Sequence, residues 1–331
     1  MLSIRQNFLE TIHGGKPDRF VKQYEAIPLL LWTDPITSPD PAHPLFPGGP
    51  RIQNAWGVTM EFVAGHPGPF PVHGKETVVK DITHWRDVVK MPRTDYPPEA
   101  WEAAIKAANA VNRNEVFCTY AFYGGVFETV HYLLGLDECL VNLIEKPDYI
   151  KEMVAYVVEY ELKVAENVCK YMKPDALFHH DDWGTQKSLF MSPAMFDEFF
   201  LDAYKQIYGY YKSHGVEVVV HHSDSYAAPL VPRMIEMGVD VYQGCITQND
   251  VPALIKQYGG KISFMGNLNN GVLDCEDWTP ELIRSEVERA CRECGKLYYI
   301  PCLTMGGPMS SYPGVYEAVS SEIDRMSKEM F

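Results

Sequence analysis

The sequence lacks several features that mark other classes of protein. No apolar run approaches the roughly 20 residues needed to cross a bilayer, and the first 19 residues contain no apolar stretch typical of a signal peptide. These absences predict a cytoplasmic protein without membrane contact. Positive charge is also scarce. The chain has 29 Lys and Arg residues against 44 Asp and Glu residues, which gives a net charge of −15. Such a surface repels phosphate and therefore disfavours non-specific binding to nucleic acid.

Cysteine is sparse and irregularly spaced. The eight cysteines lie at positions 118, 139, 169, 245, 275, 291, 294 and 302, without the short repeated spacing of a secreted disulfide scaffold. We therefore expect reduced thiols, most of them acting as small buried hydrophobic residues. Cys291 and Cys294 form one isolated C-x-x-C pair, whereas a zinc ribbon needs two such pairs. We interpret this pair as structural.

The second half of the chain alternates between strand-like and helix-like patterns. Apolar runs of strand length occur at residues 175–180, 217–222, 239–243, 261–265 and 297–302, and two more at 29–32 and 116–122. Helical patterns separate them, with N-cap signals at Ser192 and Thr279. Such repeats predict a parallel sheet in one (β/α)8 barrel domain spanning residues 1–331. The alternative is a doubly wound open sheet, but the Gly-rich phosphate turn typical of that fold is missing.

Residues 33–95 break this alternation. Nine of the 24 prolines fall between Pro35 and Pro71, and the stretch is too long for an ordinary connector. Because it follows the first predicted strand, it should begin at the carboxyl face of the barrel, where barrel active sites lie. We predict an irregular, rigid insertion that covers this face beside the pocket.

Ionisable residues cluster at the carboxyl ends of two predicted strands. Side chains two positions apart share a face of a strand, so His222 should point with Asp224, and His180 with Asp182. His222, Asp224 and Cys302 could form an open three-ligand Zn²⁺ site. Alternatively, Asp224 fixes the tautomer of His222 while Cys302 is inert. His180 and Asp182 are candidates for acid, base or substrate-orienting roles, or for a buried structural pair.

Aromatic residues follow one of the early strands. Tyr120, Phe122 and Tyr123 precede two glycines, and such rings at a barrel mouth could line a pocket for a flat apolar ligand. The alternative interpretation is packing within the core and rim. We also take Asn267, at another strand end, as a candidate substrate-binding residue.

Several of these segments together resemble a known family. They are His180 to Gln186 followed by Ser192-Pro193, then His222-x-Asp224 leading to Gly238-Val239-Asp240, then Met265-Gly266-Asn267, and finally Pro301-Cys302. In order and spacing the chain resembles the uroporphyrinogen decarboxylase superfamily. Within that superfamily it is most similar to the cobalamin-dependent methyltransferase branch.

The resemblance implies a (β/α)8 barrel and a particular set of metal ligands. In the methyltransferase branch, zinc is held by a His-x-Cys motif and a distant Cys near the last strand. The matching positions here are His222, Asp224 and Cys302, with Asp where the pattern has the first Cys. A carboxylate makes a harder site, less suited to activating a thiol substrate.

The resemblance further implies a methyl-donor-specific component of an anaerobic O-demethylase. Such an enzyme moves a methyl group from an aryl methyl ether to Co(I) on a separate corrinoid protein. Zn²⁺ as Lewis acid, or a general acid, would activate the ether oxygen. The candidate catalytic residues are His180, Asp182, His221 and His222. The candidate aromatic pocket residues are Tyr120, Phe122, Tyr123 and Trp183.

Two alternatives remain at this stage. One is a decarboxylase acting like uroporphyrinogen decarboxylase, although residues 21–32 contain Lys22 and no arginine to grip a polycarboxylate. The other is a non-catalytic barrel that binds a corrinoid or another ligand. We allow for a homodimer.

Overall fold

The computed structural model describes residues 1–66, 68–304 and 311–331, and within them the chain forms ten strands. The strands are Leu29–Leu30 (β1), Ile52–Gln53 (β2), Thr59–Glu61 (β3), Phe70–Pro71 (β4), Thr119–Tyr123 (β5), Ala176–His180 (β6), Val218–His222 (β7), Val241–Cys245 (β8), Ser263–Asn267 (β9) and Tyr299–Cys302 (β10). Seven of them form one parallel sheet in the order β1-β5-β6-β7-β8-β9-β10. Helices surround this curled sheet, which confirms the predicted (β/α)8 barrel fold.

The α-helices of the described residues precede, separate and follow the strands. They are Ile4–Ile12 (α1), Trp85–Val88 (α2), Glu102–Ala110 (α3), Val126–Leu134 (α4), Leu136–Glu145 (α5), Pro147–Tyr171 (α6), Pro193–Phe196 (α7), Asp202–Ser213 (α8), Val231–Glu236 (α9), Val251–Tyr258 (α10), Asn270–Leu273 (α11), Pro280–Cys294 (α12) and Val315–Met330 (α13). Ser192 and Thr279 are N-caps as predicted, because their side chains accept hydrogen bonds from main-chain N–H groups three residues ahead.

The segment before β1 links the two edges of the sheet. The N–H of Gln23 donates to the carbonyl of Pro301 in β10 (3.3 Å), and the N–H of Phe117 donates to the carbonyl of Ala26 (2.9 Å). Residues 23–26 thus hydrogen-bond to β10 on one side and to the chain entering β5 on the other. This bridge explains how a seven-stranded sheet curls around one interior.

Alternation along the strands creates two separate cores. Phe178 and Val220 lie inside the barrel with Met265 and Ile300, whereas their neighbours on the strands pack against the helices. The same alternation separates two adjacent histidine pairs. His180 and His222 end the inward-facing rows, and His179 and His221 lie in the layer between sheet and helices.

The insertion at residues 33–95 contains a three-stranded antiparallel sheet, β2-β3-β4. It packs on the helices of the barrel: Trp56 contacts the rings of Tyr156 and Tyr160 in α6, and the N–H of Val79 donates to the carbonyl of Leu133 in α4 (2.9 Å). These contacts place the insertion beside α4 and α6. A cover over the mouth itself stays a prediction.

None of the helices among residues 1–66, 68–304 and 311–331 combines the length and the apolar character needed to span a membrane.

One glycine lies where the loop after β5 approaches β6. A Cβ built on Gly125 would lie 2.5 Å from Oδ2 of Asp181 and 2.6 Å from Cε1 of His179, whereas one on Gly209 in α8 would meet nothing within 4 Å. We expect Gly125→Ala to lower the free energy of unfolding by about 1–3 kcal/mol. Gly209→Ala should leave it unchanged or raise it by up to about 1 kcal/mol, because alanine favours helix. Urea unfolding followed by circular dichroism measures both, and equal stability of the two variants would contradict the prediction.

Candidate active site

Three ionisable side chains converge at the carboxyl mouth of the barrel. His180 ends β6, Asp182 follows it by two residues, and His222 ends the neighbouring strand β7. One potential ligand atom from each of the three lies within 4.8 Å of the others. The two imidazole rings are nearly parallel, with centroids 4.4 Å apart and an interplanar angle of 17°. Among the described residues this is the one such group of three.

Each imidazole is held through Nδ1 by a different part of the fold. Nδ1 of His180 lies 2.9 Å from Oε2 of Glu128 in the first turn of α4. Nδ1 of His222 is hydrogen-bonded to Oε1 of Gln243 in β8. Metal-binding histidines are typically oriented in this way, with one nitrogen on a protein acceptor and the other on the metal. The arrangement leaves Nε2 of both rings for a metal.

The donor set fits zinc. Two imidazoles and a carboxylate, with a further position open to substrate or water, match the ligand number and type of catalytic Zn²⁺ sites. The three residues that would hold such an ion are His180, Asp182 and His222. This set shares His222 with the sequence prediction and adds the second predicted pair, His180 and Asp182.

The mouth carries more negative than positive charge, and this controls its protonation. Burial lowers the pKa of His180, but Glu128, then Asp182 and Asp224, raise it to about 10 overall. Burial and the neighbouring His180 lower the pKa of His222 to about 4, so His222 is neutral, the form that binds metal. Burial and Asp182 raise the pKa of Asp224 to about 7. A bound cation would offset this concentration of carboxylates.

Two predicted metal ligands lie outside the group of three. Cys302 is fully buried inside the barrel and hydrogen-bonds with Gln243, and burial raises the pKa of its thiol well above the usual range. A buried, protonated thiol is a poor metal ligand. Asp224 lies next to the group, where its N–H donates to Oδ1 of Asp182 (3.0 Å). The structure thus brings His180 and Asp182 together with His222, and the ligand set expected from the sequence stays a prediction.

The structure separates the residues of the predicted aromatic pocket. Tyr120 and Phe122 point away from the mouth, because they occupy the outward positions of β5 and pack among the helices. Tyr123, at an inward position, is 48% exposed at the mouth, with its ring centroid 5.2 Å from that of His180. Of these three aromatic residues, Tyr123 alone remains a candidate to contact a substrate ring.

Three further candidates face the helices rather than the mouth. His221 occupies an outward position of β7, and the ring of Trp183 stacks on it with centroids 3.9 Å apart. Trp183 also donates from Nε1 to the hydroxyl of Tyr204 (3.0 Å). Asn267 has a positive φ of 60°, and its amide donates to Sγ of Cys294 in α12 (3.1 Å). These side chains lie away from the group of three, and the roles expected of His221, Trp183 and Asn267 stay predictions.

Sequence reasoning missed Glu128 and Gln243. Glu128 lies in α4, a helix that the sequence pattern did not predict, and its contact with His180 spans 52 positions. Gln243 could have been predicted from the sequence, because it occupies an inward position of β8 beside His222. Alternation along the strand places its side chain inside the barrel. Asp181 lies between His180 and Asp182 on the side of the helices, where it accepts hydrogen bonds from the N–H groups of Phe127 and Glu128.

The comparisons with known proteins bear on the family and the fold. The family model for uroporphyrinogen decarboxylase (URO-D) matches residues 51–325. The chain belongs to the uroporphyrinogen decarboxylase family. Among solved structures, this member of the family is similar to a methyltransferase from Methanosarcina mazei, with 13% identity and a TM-score of 0.65 over 98% of this chain and 99% of that chain. That likeness shows a shared fold, and the search of curated proteins gave no match.

We expect this URO-D family member to bind about one Zn²⁺ per chain, and His222→Ala to weaken binding by more than roughly 100-fold. Loss of a residue that hydrogen-bonds a metal ligand lowers metal affinity about 10–100-fold. His222→Ala removes a ligand itself, so its effect should be larger. His43→Ala is the control, since that side chain is 71% exposed and its ring contacts Asp40 rather than a residue of the group of three. Metal analysis and competition with a chromophoric chelator measure the effect. Equal affinities of the two variants would contradict the assignment.

Proposed function

We propose that the protein is a methyltransferase that moves a methyl group from an aryl methyl ether to the Co(I) centre of a corrinoid protein. The observation that carries the proposal is the His180–Asp182–His222 group at the barrel mouth, next to the exposed ring of Tyr123. Membership of the URO-D family and the methyltransferase neighbour support the reaction class.

The reaction requires stabilisation of charge on the ether oxygen. The methyl–oxygen bond breaks with its electron pair on oxygen, and the electron pair of Co(I) forms the new bond to carbon. A phenolate is a poor leaving group, so its developing negative charge must be neutralised. A Zn²⁺ ion held by His180, Asp182 and His222 would supply Lewis-acid stabilisation at this oxygen.

The protein side chains supply orientation around that centre. Gln243 fixes the neutral imidazole of His222, and Glu128 fixes the ring of His180. Tyr123 offers an exposed aromatic face beside His180 on which a substrate ring can stack. The partner protein carries the corrinoid, so the methyl acceptor approaches from outside the barrel.

The charge of the mouth disfavours the decarboxylase alternative. A porphyrinogen carries several carboxylates, and Glu128, Asp182 and Asp224 would repel them. Lys22, the one cation in residues 21–32, forms an ion pair with Asp324 (3.1 Å). A neutral donor such as a methoxylated aromatic avoids this repulsion.

The direct test is incubation of the purified chain with a panel of methoxylated aromatics and a reduced corrinoid protein. We expect the absorbance of methylcobalamin to appear, and chelation of metal or His222→Ala to abolish it. Full activity after complete metal removal would show that a general acid, and not a Lewis-acidic metal, activates the ether oxygen. Release of CO₂ from a carboxylate substrate, without methyl transfer from any donor, would overturn the proposal.

Tyr123→Ala should raise KM for the aromatic donor about fivefold with a smaller change in kcat, because one stacking contact contributes about 1 kcal/mol. Tyr123→Phe is the matched control and should retain the wild-type KM, since the ring remains. Steady-state kinetics at saturating corrinoid protein measures both values. An unchanged KM in Tyr123→Ala would remove this residue from the substrate site.

A further inference from the structure

We propose that Glu128 and Gln243 are positioning residues that hold the Nδ1–H groups of both mouth imidazoles, leave Nε2 of each ring to the metal, and thereby set the metal affinity of the site. This inference rests on the metal site of the proposed function. It assigns a role to two residues that would not coordinate the metal themselves. Each reaches a different imidazole from a different element, Glu128 from α4 and Gln243 from β8.

The carboxyl group of Glu128 is itself held in place. Its side chain is buried, Oε2 faces Nδ1 of His180, and Oε1 accepts a hydrogen bond from the hydroxyl of Tyr132 (3.1 Å). Its backbone N–H donates to Asp181, which caps the helix (2.9 Å). The residue lies in the first turn of α4, where the helix dipole favours negative charge. Glu128 therefore presents a pre-oriented acceptor to His180.

The amide of Gln243 is also oriented by its partners. The side chain is fully buried, Nε2 donates to the carbonyl of Leu303 (3.4 Å), and the amide group hydrogen-bonds with Cys302. With the NH₂ group engaged there, Oε1 faces His222. A carbonyl oxygen only accepts hydrogen bonds, so Nδ1 of His222 must carry the hydrogen. The lone pair of the neutral ring is then on Nε2.

A second buried His–Glu pair provides an internal comparison. His179 precedes His180 on β6, and its Nε2 lies 2.8 Å from Oε2 of Glu161. Its Nδ1 lies 3.2 Å from the hydroxyl of Tyr208, so both ring nitrogens have protein partners. His180 uses Nδ1 alone for its carboxylate. The same residue types thus form a closed pair on one face of β6 and an open, metal-competent pair on the other.

The test compares matched variants at the two sites. Glu128→Gln, Glu128→Leu and Gln243→Leu change the proposed positioning residues. Glu161→Gln is the control for the first change, because it alters a buried Glu–His pair on the other face of β6. Gln23→Leu is the control for Gln243→Leu. Gln23 is also a buried glutamine, and it accepts a hydrogen bond from the N–H of Leu303 but makes none with His222.

We expect Gln243→Leu and Glu128→Leu to weaken Zn²⁺ binding about 10–100-fold, as measured by competition with a chromophoric chelator. Glu128→Gln should lose less affinity, because its amide oxygen still accepts from Nδ1–H. In the metal-free protein, ¹⁵N resonances of the histidine rings should show His222 as the Nδ1–H tautomer and a shift toward Nε2–H in Gln243→Leu. A merely structural role would not produce this tautomer change.

Two results would overturn the inference: Zn²⁺ affinities of the positioning variants no lower than those of Glu161→Gln and Gln23→Leu, or His222 in the Nε2–H form in the wild-type protein. Failure of the proposed function is distinguishable from either. If Zn²⁺ affinity and tautomer follow the expectation while no aromatic methyl donor reacts, the positioning role is supported and the reaction assignment is wrong.

Discussion

The two-residue alternation of side chains along β6 and β7 is the constraint on which the site depends. Each strand ends in two consecutive histidines, and alternation places one of each pair inside the barrel and the other against the helices. The inner pair, His180 and His222, shares the mouth with carboxylates. The outer pair, His179 and His221, is joined by the hydroxyl of Tyr208. One sequence pattern therefore produces two sites of different chemistry.

The outer layer supports the inner one through Asp181. This carboxylate accepts hydrogen bonds from two N–H groups at the start of α4 and from the hydroxyl of Tyr204 (2.5 Å). The cap joins the loop after β6, which carries the candidate ligand Asp182, to the helix that carries Glu128. Buried polar groups are stable when their hydrogen-bonding capacity is met, and this cluster meets much of it internally. The mouth is thus assembled from neighbouring elements that share hydrogen bonds.

The local features of the fold were predictable from the sequence. Strand positions, the N-caps at Ser192 and Thr279, and the convergence of polar residues at strand ends all depend on short-range patterns. The contacts of Glu128 with His180 and of Cys302 with Gln243 span 52 and 59 positions, and short-range patterns carry no signal for them. Tyr120 and His221 are a different case. Consistent use of alternation would have assigned both to the outer face.

The cap on α4 also fixes the rotational phase of that helix. A residue in an α-helix lies about 100° around the axis from its neighbour, so one inserted or deleted residue between Gly125 and Glu128 would turn the carboxylate away from His180. The Asp181 cap and the crowded Gly125 hold the start of α4 at one position. Loop length before this helix is consequently constrained as tightly as the identity of the side chains at the mouth. Among related barrels, insertions and deletions should therefore be tolerated after the first turn of α4 but not before it.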